Sequence, residues 1–211
     1  IGMKIAFANW SKEVCHQSPG TDVDEVTRIL SLSTRRLCSP GYLRGGMGDC
    51  GHCHTRDQIE LSYLARELNL SYDLAGALIA CREAQTEWIA DLAIAEHRRT
   101  GLPIVILGKA YKANTNLIGG SPALLLAHIL RARGYNAMQW DPHVDASVTE
   151  ATGASLRAGD PLDGPKVYVV ATQHAVFARL APPVGSVVID PWRYVQPCDG
   201  VRVVRIGEGK L

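Results

Sequence analysis

The apolar positions of this chain follow two different rhythms. Up to about Arg99 they recur at helical spacing. Val23, Val26, Ile29 and Leu30 share one face of segment 22–32, which opens on Gly20-Thr21-Asp22, and the pattern predicts a helix there. Leu61, Leu64, Ala65 and Leu68 do the same for 57–68, and Leu74, Leu78, Cys81, Trp88 and Leu92 extend a stripe through a longer helix expected over 74–98, before Gly101. Past Gly101 a short β-branched run at 103–107 is followed by short apolar runs at 137–140, 166–171, 186–189 and 201–206, with helix-like segments between several of them. Segment 121–133 reads as one such helix, with Ser121 as N-cap, Pro122 in the first turn and Gly134 just past the end. Strands alternating with helices indicate a doubly wound parallel sheet. The expected fold is therefore α/β: an all-helical region over 1–100, then a Rossmann-like sheet domain over 101–211, without internal repeats or low-complexity segments.

Composition narrows the function classes. A chain of 211 residues is long enough for one large domain or two small ones. With 46% apolar residues, 20% charged and a formal net charge of +1, it offers no basic stripe for nucleic acid and no acidic tail. The longest apolar runs, 103–107 and 123–126, fall far short of the roughly 20 residues that cross a bilayer. The first ten residues contain Lys4 and Asn9 and no small-residue cleavage site, so they do not read as a secretory signal. Cys15, Cys38, Cys50, Cys53, Cys81 and Cys198 are accordingly expected as free thiols in the cytoplasm.

The candidate chemistry concentrates in Tyr42-Leu43-Arg44-Gly45-Gly46-Met47-Gly48-Asp49-Cys50-Gly51-His52-Cys53-His54-Thr55-Arg56-Asp57. Its glycines let backbone approach a ligand closely and expose N–H groups. A helix is expected to begin just afterwards, with Thr55 or Asp57 as cap. Cys53 would then stand before a helix N-terminus and beside Arg56, in the positive potential that suits a nucleophilic thiol. The same residues admit other readings. Cys50-Gly51-His52-Cys53 has the spacing of a dithiol redox motif, although such a motif normally follows a strand and opens its helix directly. Adding His54 gives a haem-attachment string, which requires export or a dedicated assembly compartment. A zinc site from Cys50, His52, Cys53 and His54 would crowd its ligands into one turn, with no second pair at a suitable distance, so no metal is expected. The plainest alternative is a glycine-rich surface turn with ordinary thiols.

Gly51-His52-Cys53-His54-Thr55-Arg56-Asp57 resembles the nucleophile loop of the UDP-glucose/GDP-mannose dehydrogenase family, where an aromatic-Leu pair and a glycine turn lead into Gly-x-Cys-x-x-Lys-Asp. Leu107-Gly108-Lys109-Ala110-Tyr111-Lys112-Ala113-Asn114-Thr115 resembles the family's Gly-x-Ala-Phe-Lys-x-x-Thr segment. Ser121-Pro122-Ala123 then opens a helix as in the family, and Asp141-Pro142 follows the next strand as the family's Tyr-Asp-Pro does. The ordered set runs over about 4–206.

The resemblance implies the substrate-binding and catalytic-cysteine portion of an NAD-dependent nucleotide-sugar 6-dehydrogenase of polysaccharide biosynthesis, oxidising the C6 hydroxyl of a UDP-sugar to a carboxylate. Cys53 takes the place of the thiol that adds to the C6 aldehyde, giving a thiohemiacetal, then a thioester that water hydrolyses. Asp57 matches the aspartate that orients or activates water. Tyr42, Leu43, Arg44, Gly45, Gly46, Met47 and Gly48 match the loop that encloses the nucleotide sugar. Tyr111 and Lys112 match an aromatic-lysine pair that contacts it, the lysine suiting a diphosphate as a point charge. Arg35 or Arg36 matches an arginine reaching into a partner subunit's site, and helix 74–98 suits the helical core of a homodimer. Plainer roles stand beside these: Lys112 as a solvated lysine, Asp57 as a helix cap only, Tyr111 as packing at a strand end. His16, His97, His128, His143 and His174 show no ligand spacing and read as surface or structural.

Departures from the family pattern carry their own expectations. Met3–Asn9 looks like a first strand, but no Gly-x-Gly-x-x-Gly turn follows it, and it fits better inside the family's central helix. The NAD-binding domain, together with an upstream lysine and asparagine of that helix, is expected to be absent from this chain, and the isolated chain to be inactive. The alternative is a catalytically inactive nucleotide-sugar-binding or dimerisation module. Gly119-Gly120 stands where the family usually has Arg-Glu, Arg56 stands for lysine, and Asp49-Cys50 for an aromatic-glycine pair. These imply a divergent subfamily, and His52 beside Cys53 resembles members acting on N-acetylated UDP-sugars.

Overall fold

The computed structural model describes residues 2–35, 37–39, 43, 45–48, 51–145 and 162–208. They form two compact units, one of Ile1–Arg44 with Arg56–Cys81, the other of Gly45–Thr55 with Arg82–Leu211.

The first unit holds α1 (Gly2–Gln17), α2 (Val23–Ser31), most of α3 (His52–Glu67) and the first turns of α4 (Leu74–Thr100). Helix α2 starts where Asp22, in extended backbone, accepts the N–H groups of Asp24 and Glu25. Helix α4 starts on Asp73, whose carboxylate accepts the Gly76 N–H at 2.7 Å and the Ser62 hydroxyl on α3. On α1, Glu13 accepts both the N–H and the hydroxyl of Ser71, and the Trp10 indole N–H donates to the Tyr72 carbonyl. Polar contacts thus tie this unit together. Its apolar burial is slight: Ala65 and Ala75 are covered, while Met3, Ile5, Phe7, Ile29 and Ile59 are exposed.

The second unit is built on an all-parallel sheet ordered β2-β1-β3-β4-β5, with β1 at Ile104–Leu107, β2 at Ala137–Trp140, β3 at Val167–Val170, β4 at Val187–Asp190 and β5 at Arg202–Arg205. Strands β1, β3 and β4 are buried on both faces, which is why they read as unbroken apolar runs. Ile104, Ile106, Val167, Val169 and Ile189 meet Ala90, Ala93 and Ile94 of α4 and Leu126, Ala127 and Leu130 of α5 (Pro122–Ala132). Val105, Leu107, Tyr168, Val170 and Val188 meet Phe177, Leu180 and Val195 across the opposite face. The edge strand β5 exposes arginine, which discourages pairing with another sheet.

The expected parallel α/β sheet is present, and α5 begins as its sequence indicates, the Ser121 hydroxyl accepting the Ala123 N–H at 3.2 Å. Three details differ. Helix α3 begins at His52, so Thr55 and Asp57 lie inside it and cap nothing. Of the expected α4 stripe, Leu78 and Trp88 are exposed, at 47% and 46%, whereas Leu92 packs against the core and Ile89, Ala90, Ala93 and Ile94 are the residues buried on the sheet. Between β3 and β4 only a 3-10 helix forms, Ala175–Arg179. No described helix is long and apolar enough to cross a membrane.

The strand order has a functional consequence. From β1 the chain steps outward to β2, then returns past β1 to β3, so the loops leaving β1 and β3 diverge. Doubly wound sheets of this order bind ligands at the carboxyl ends of those strands.

Ala93→Leu, which crowds the α4–sheet contact, should cost about 1–3 kcal/mol, and Leu126→Ala, which opens a cavity under α5, about 2–5 kcal/mol. Urea unfolding measures both. An unchanged midpoint for Ala93→Leu would place α4 off the sheet.

Candidate active site

The glycine turn Gly45–Thr55 belongs to the sheet unit. At Gly46 and Gly51 it packs so tightly on the loops at the carboxyl edge of the strands that a side chain is excluded there. A Cβ on Gly46 would lie 2.1 Å from the Trp192 ring, and one on Gly51 2.4 Å from the Tyr111 ring. Gly51 also has φ +96°, a left-handed conformation that other residues rarely adopt. The walls of the turn are therefore Tyr111, from the loop after β1, and Trp192, from the loop after β4. Trp192 is locked by its indole N–H, which donates to the Val170 carbonyl at 3.0 Å.

Two residues beyond Gly51, Cys53 is exposed in the first turn of α3 and carries a free thiol. Cys15, Cys38, Cys81 and Cys198 are free thiols as well, and Cys50 lies outside the described residues. Thr55 accepts the Arg82 guanidinium at 2.6 Å. Arg56 turns to its neighbour Asp57 in an exposed ion pair at 2.7 Å, worth little in water. Asp57 follows Cys53 by four positions along α3. The ammonium of Lys112 stands 5.2 Å from the Tyr111 ring centroid, a cation–π contact at the mouth of the β1 loop.

The Gly119-Gly120 pair, at odds with the family pattern, has a packing reason. Cβ atoms there would come 3.1 Å from His52 Nδ1 and 3.0 Å from the Gly51 carbonyl carbon. This brings the N-termini of α3 and α5 side by side, and neither helix has an acidic residue in its first turn. Two partly positive helix ends meet there with no carboxylate of their own to offset them.

Beneath these loops lie two buried aspartates. Asp141, after β2, accepts the N–H groups of Lys109 (2.6 Å) and Ala110 (3.0 Å) on one oxygen and of His143 and Val144 on the other. His174 Nε2 adds a contact at 3.1 Å. Burial alone would push the Asp141 carboxyl up, but the hydrogen bonds from His174 and from the backbone of Ala110, Lys109 and His143 outweigh it and hold it well below the usual carboxylate range. Asp190, ending β4, accepts the N–H groups of Trp192, Arg193, Tyr194 and Val195. Each carboxylate thus fixes one wall of the glycine turn.

Of the residues expected at a site, Gly45, Gly46, Gly48, Cys53, Tyr111 and Lys112 fall in the sheet unit and Leu43 and Asp57 in the helical unit. Met47 is also in the sheet unit, but its side chain is buried in the core, so it offers a ligand only backbone. Leu43 is exposed. Tyr42, Arg44 and Arg36 lie outside the described residues. Sequence reasoning passed over Asp190, Trp192 and the pairing of His174 with Asp141. The signal for Asp190 was available, since Asp190-Pro191 repeats the strand–Asp–Pro pattern of Asp141-Pro142.

A doubly wound parallel sheet with a cysteine-bearing glycine turn docked at its carboxyl edge defines the α/β class of this chain. More specifically, the chain belongs to the UDP-glucose/GDP-mannose dehydrogenase family: the family's central domain matches residues 1–83 and its UDP binding domain residues 105–197. The chain is 30% identical over 143 residues to a UDP-glucose 6-dehydrogenase of Bacillus subtilis, covering 67% of this chain and 30% of that protein. It is 27% identical over 212 residues to a UDP-glucose 6-dehydrogenase of Haloferax volcanii, covering 99% of this chain and 47% of that one. A GDP-mannose dehydrogenase from Pseudomonas aeruginosa matches in fold with a TM-score of 0.75 at 22% identity, over 96% of this chain and 50% of that chain. The chain thus spans between about a third and a half of the length of these relatives. Strand β1 runs into Gly108-Lys109-Ala110-Tyr111, and no strand among the described residues leads into a Gly-x-Gly-x-x-Gly turn.

Gly46→Ala should displace Trp192 and break its bond to Val170, costing about 1–3 kcal/mol, with a red-shifted tryptophan emission in the folded state; an unshifted spectrum at unchanged stability would contradict the close approach. Asp141 is depressed in the folded chain. Its contribution is therefore present above the ordinary carboxylate value, about 4, and is lost as pH falls below it toward the folded value. Asp141→Asn should lose about 1.5–3 kcal/mol at neutral pH and show a shallower decline of Tm below pH about 4, measured by calorimetry across pH.

Proposed function

We propose that this chain is the substrate-binding and catalytic-cysteine portion of an NAD-dependent nucleotide-sugar 6-dehydrogenase, acting on the C6 hydroxyl of a UDP-sugar in the cytoplasm. The observation that carries this reading is the seating of the Tyr111 ring on Gly51, which holds the Cys53 turn and the Lys112 loop in one unit. A sugar diphosphate bound between Lys112 and the paired ends of α3 and α5 would meet a cation and unopposed helix N-termini. In this reading the sugar reaches the exposed Cys53 thiol.

In this reading residues 1–100 form the central, dimerisation domain and 101–211 the UDP-binding domain. When bound, two molecules of NAD in turn would each take one hydride, one in each of the two oxidations. The groups of this chain act on the sugar. Cys53 sulfur adds to the C6 aldehyde and forms a C–S bond, keeping a reactive intermediate bound between two oxidations. After the second oxidation water adds to the thioester carbonyl, the C–S bond breaks, and the thiol and the uronic acid are released. Asp57, one helical turn beyond Cys53, orients that water. Tyr42, Leu43, Arg44, Gly45, Gly46, Met47 and Gly48 enclose the nucleotide sugar, and Arg36 serves the site of a second subunit. The exposed Met3, Ile5, Phe7, Ile29 and Ile59 support pairing of the helical unit with a second copy, since apolar surface on this scale is rarely left in water.

Alkylation by iodoacetamide, mapped by mass spectrometry, should modify Cys53 at least about tenfold faster than Cys15, Cys38, Cys81 and Cys198, with UDP-glucose slowing it. Calorimetric titration with UDP, UDP-glucose, UDP-N-acetylglucosamine and GDP-mannose should show saturable binding to one of them, weakened about tenfold by Lys112→Ala. Uniform thiol reactivity with no binding to any of the four would sink the catalytic reading and leave a dimerisation module, which sedimentation would then report.

A further inference from the structure

The carboxyl ends of β2 and β3 hold a buried pair for which the chemistry of Cys53 has no use. Asp141 is 7% exposed and His174 1%. The backbone of residues 108–111, leading to Lys112, is pinned group by group around it. The Gly108 N–H donates to the Trp140 carbonyl at 2.6 Å and the Tyr111 N–H to the Leu117 carbonyl at 3.0 Å. The N–H groups of Lys109 and Ala110 go to Asp141, and the Ala110 carbonyl accepts the Thr172 hydroxyl at 2.7 Å.

His174 is held just as firmly. Its backbone N–H donates to the Thr172 carbonyl at 2.9 Å, its carbonyl accepts the Tyr194 hydroxyl at 2.9 Å, and its ring packs on Phe177 and His143. The ring itself presents a puzzle. Nδ1 is buried with no hydrogen-bond partner, a costly arrangement that a phenyl ring of similar volume would avoid. The one thing imidazole adds is an Nε2–H directed at Asp141 Oδ2, the same oxygen that accepts Lys109 and Ala110.

We infer that Asp141 and His174 are positioning residues for the diphosphate: His174 orients the carboxylate, the carboxylate fixes Lys109 and Ala110, and these set Tyr111 against Gly51 with Lys112 beside it. The inference rests on the nucleotide-sugar reading of the Tyr111–Lys112 loop. Neither residue touches the ligand. Their effect is on where two ligand-binding side chains stand.

The test compares three variants of the full chain. His174→Phe keeps the ring volume and removes the donor, His174→Gln keeps a donor, and Ile94→Ala opens the core under α4, in the cluster that does not contain Phe177, as a stability control. With UDP as the titrant, His174→Phe should bind about tenfold more weakly, and His174→Gln should recover to within about threefold of the parent. Ile94→Ala, although destabilised, should bind like the parent. Hydrogen exchange at the amides of Lys109 and Ala110 should accelerate in His174→Phe and not in Ile94→Ala. Equal UDP affinity in His174→Phe and the parent, or equal weakening in Ile94→Ala, overturns the inference. Unchanged exchange at 109 and 110 overturns the clasp whatever the chain binds. A parent chain that does not bind UDP overturns instead the nucleotide-sugar reading and the ligand assigned to the pair.

Discussion

A parallel sheet ends, on its carboxyl side, in loops whose backbone N–H groups have no neighbouring strand to receive them, and burying those groups unpaired would cost more than the loops could recover. Two carboxylates meet this constraint. Asp141 gathers the N–H groups of the loop after β1 with those of its own turn, and Asp190 gathers the turn after β4. Because an ionised carboxylate accepts on both oxygens, one side chain satisfies what would otherwise need a longer stretch of ladder. Each makes the end of its strand rigid, and rigidity at that edge is what a precise ligand surface requires.

The glycine turn depends on that rigidity. Its close contacts with Tyr111 and Trp192 leave no tolerance for a Cβ at Gly46 or Gly51, so the turn is held only while both walls stay in place. Trp192 is fixed through Asp190 and Val170, Tyr111 through the Asp141 cluster. The position of Cys53, two residues past Gly51, is thereby inherited from buried groups on the strands rather than from anything in the turn. This is a familiar division of labour: loops carry the chemistry and a packed scaffold aims it.

Much of the sheet unit was legible in the sequence because its signals are local. Each strand was found from its short apolar run, and the bounds of α5 from Ser121, Pro122 and Gly134. What failed to read was whatever depends on a distant partner. The α4 stripe through Leu78 and Trp88 counts hydrophobic residues, but the sheet buries Ile89, Ala90, Ala93 and Ile94, where two alanines between large neighbours permit a close approach. The start of α3 was placed late because Gly51-His52-Cys53 carries none of the Ser, Thr, Asp or Asn side chains that mark a helix start. At the site, Gly45 to Gly51 announced a close approach but not to what, and Trp192 is more than a hundred residues away. His174 read as structural, which its burial agrees with, but nothing local ties it to Asp141 across 33 residues.

The same logic of distant partners reinterprets a feature that looked like loss. Gly119-Gly120 stands in place of an Arg-Glu pair in the family pattern, and taken alone it removes a cation and an anion from the ligand edge. In the folded chain the space is occupied: His52 fills the volume beside Gly119, and the backbone at Gly51 passes against Gly120. Large side chains at 119 and 120 could return only if His52 and the start of α3 moved away. The contacts of Gly119 with His52 and of Gly120 with the backbone at 51–52 thus make the two segments depend on each other. They set the α3 and α5 N-termini side by side, where backbone dipoles stand without a side-chain cation. Such a surface still favours an anion, and it does so with groups that cannot swing.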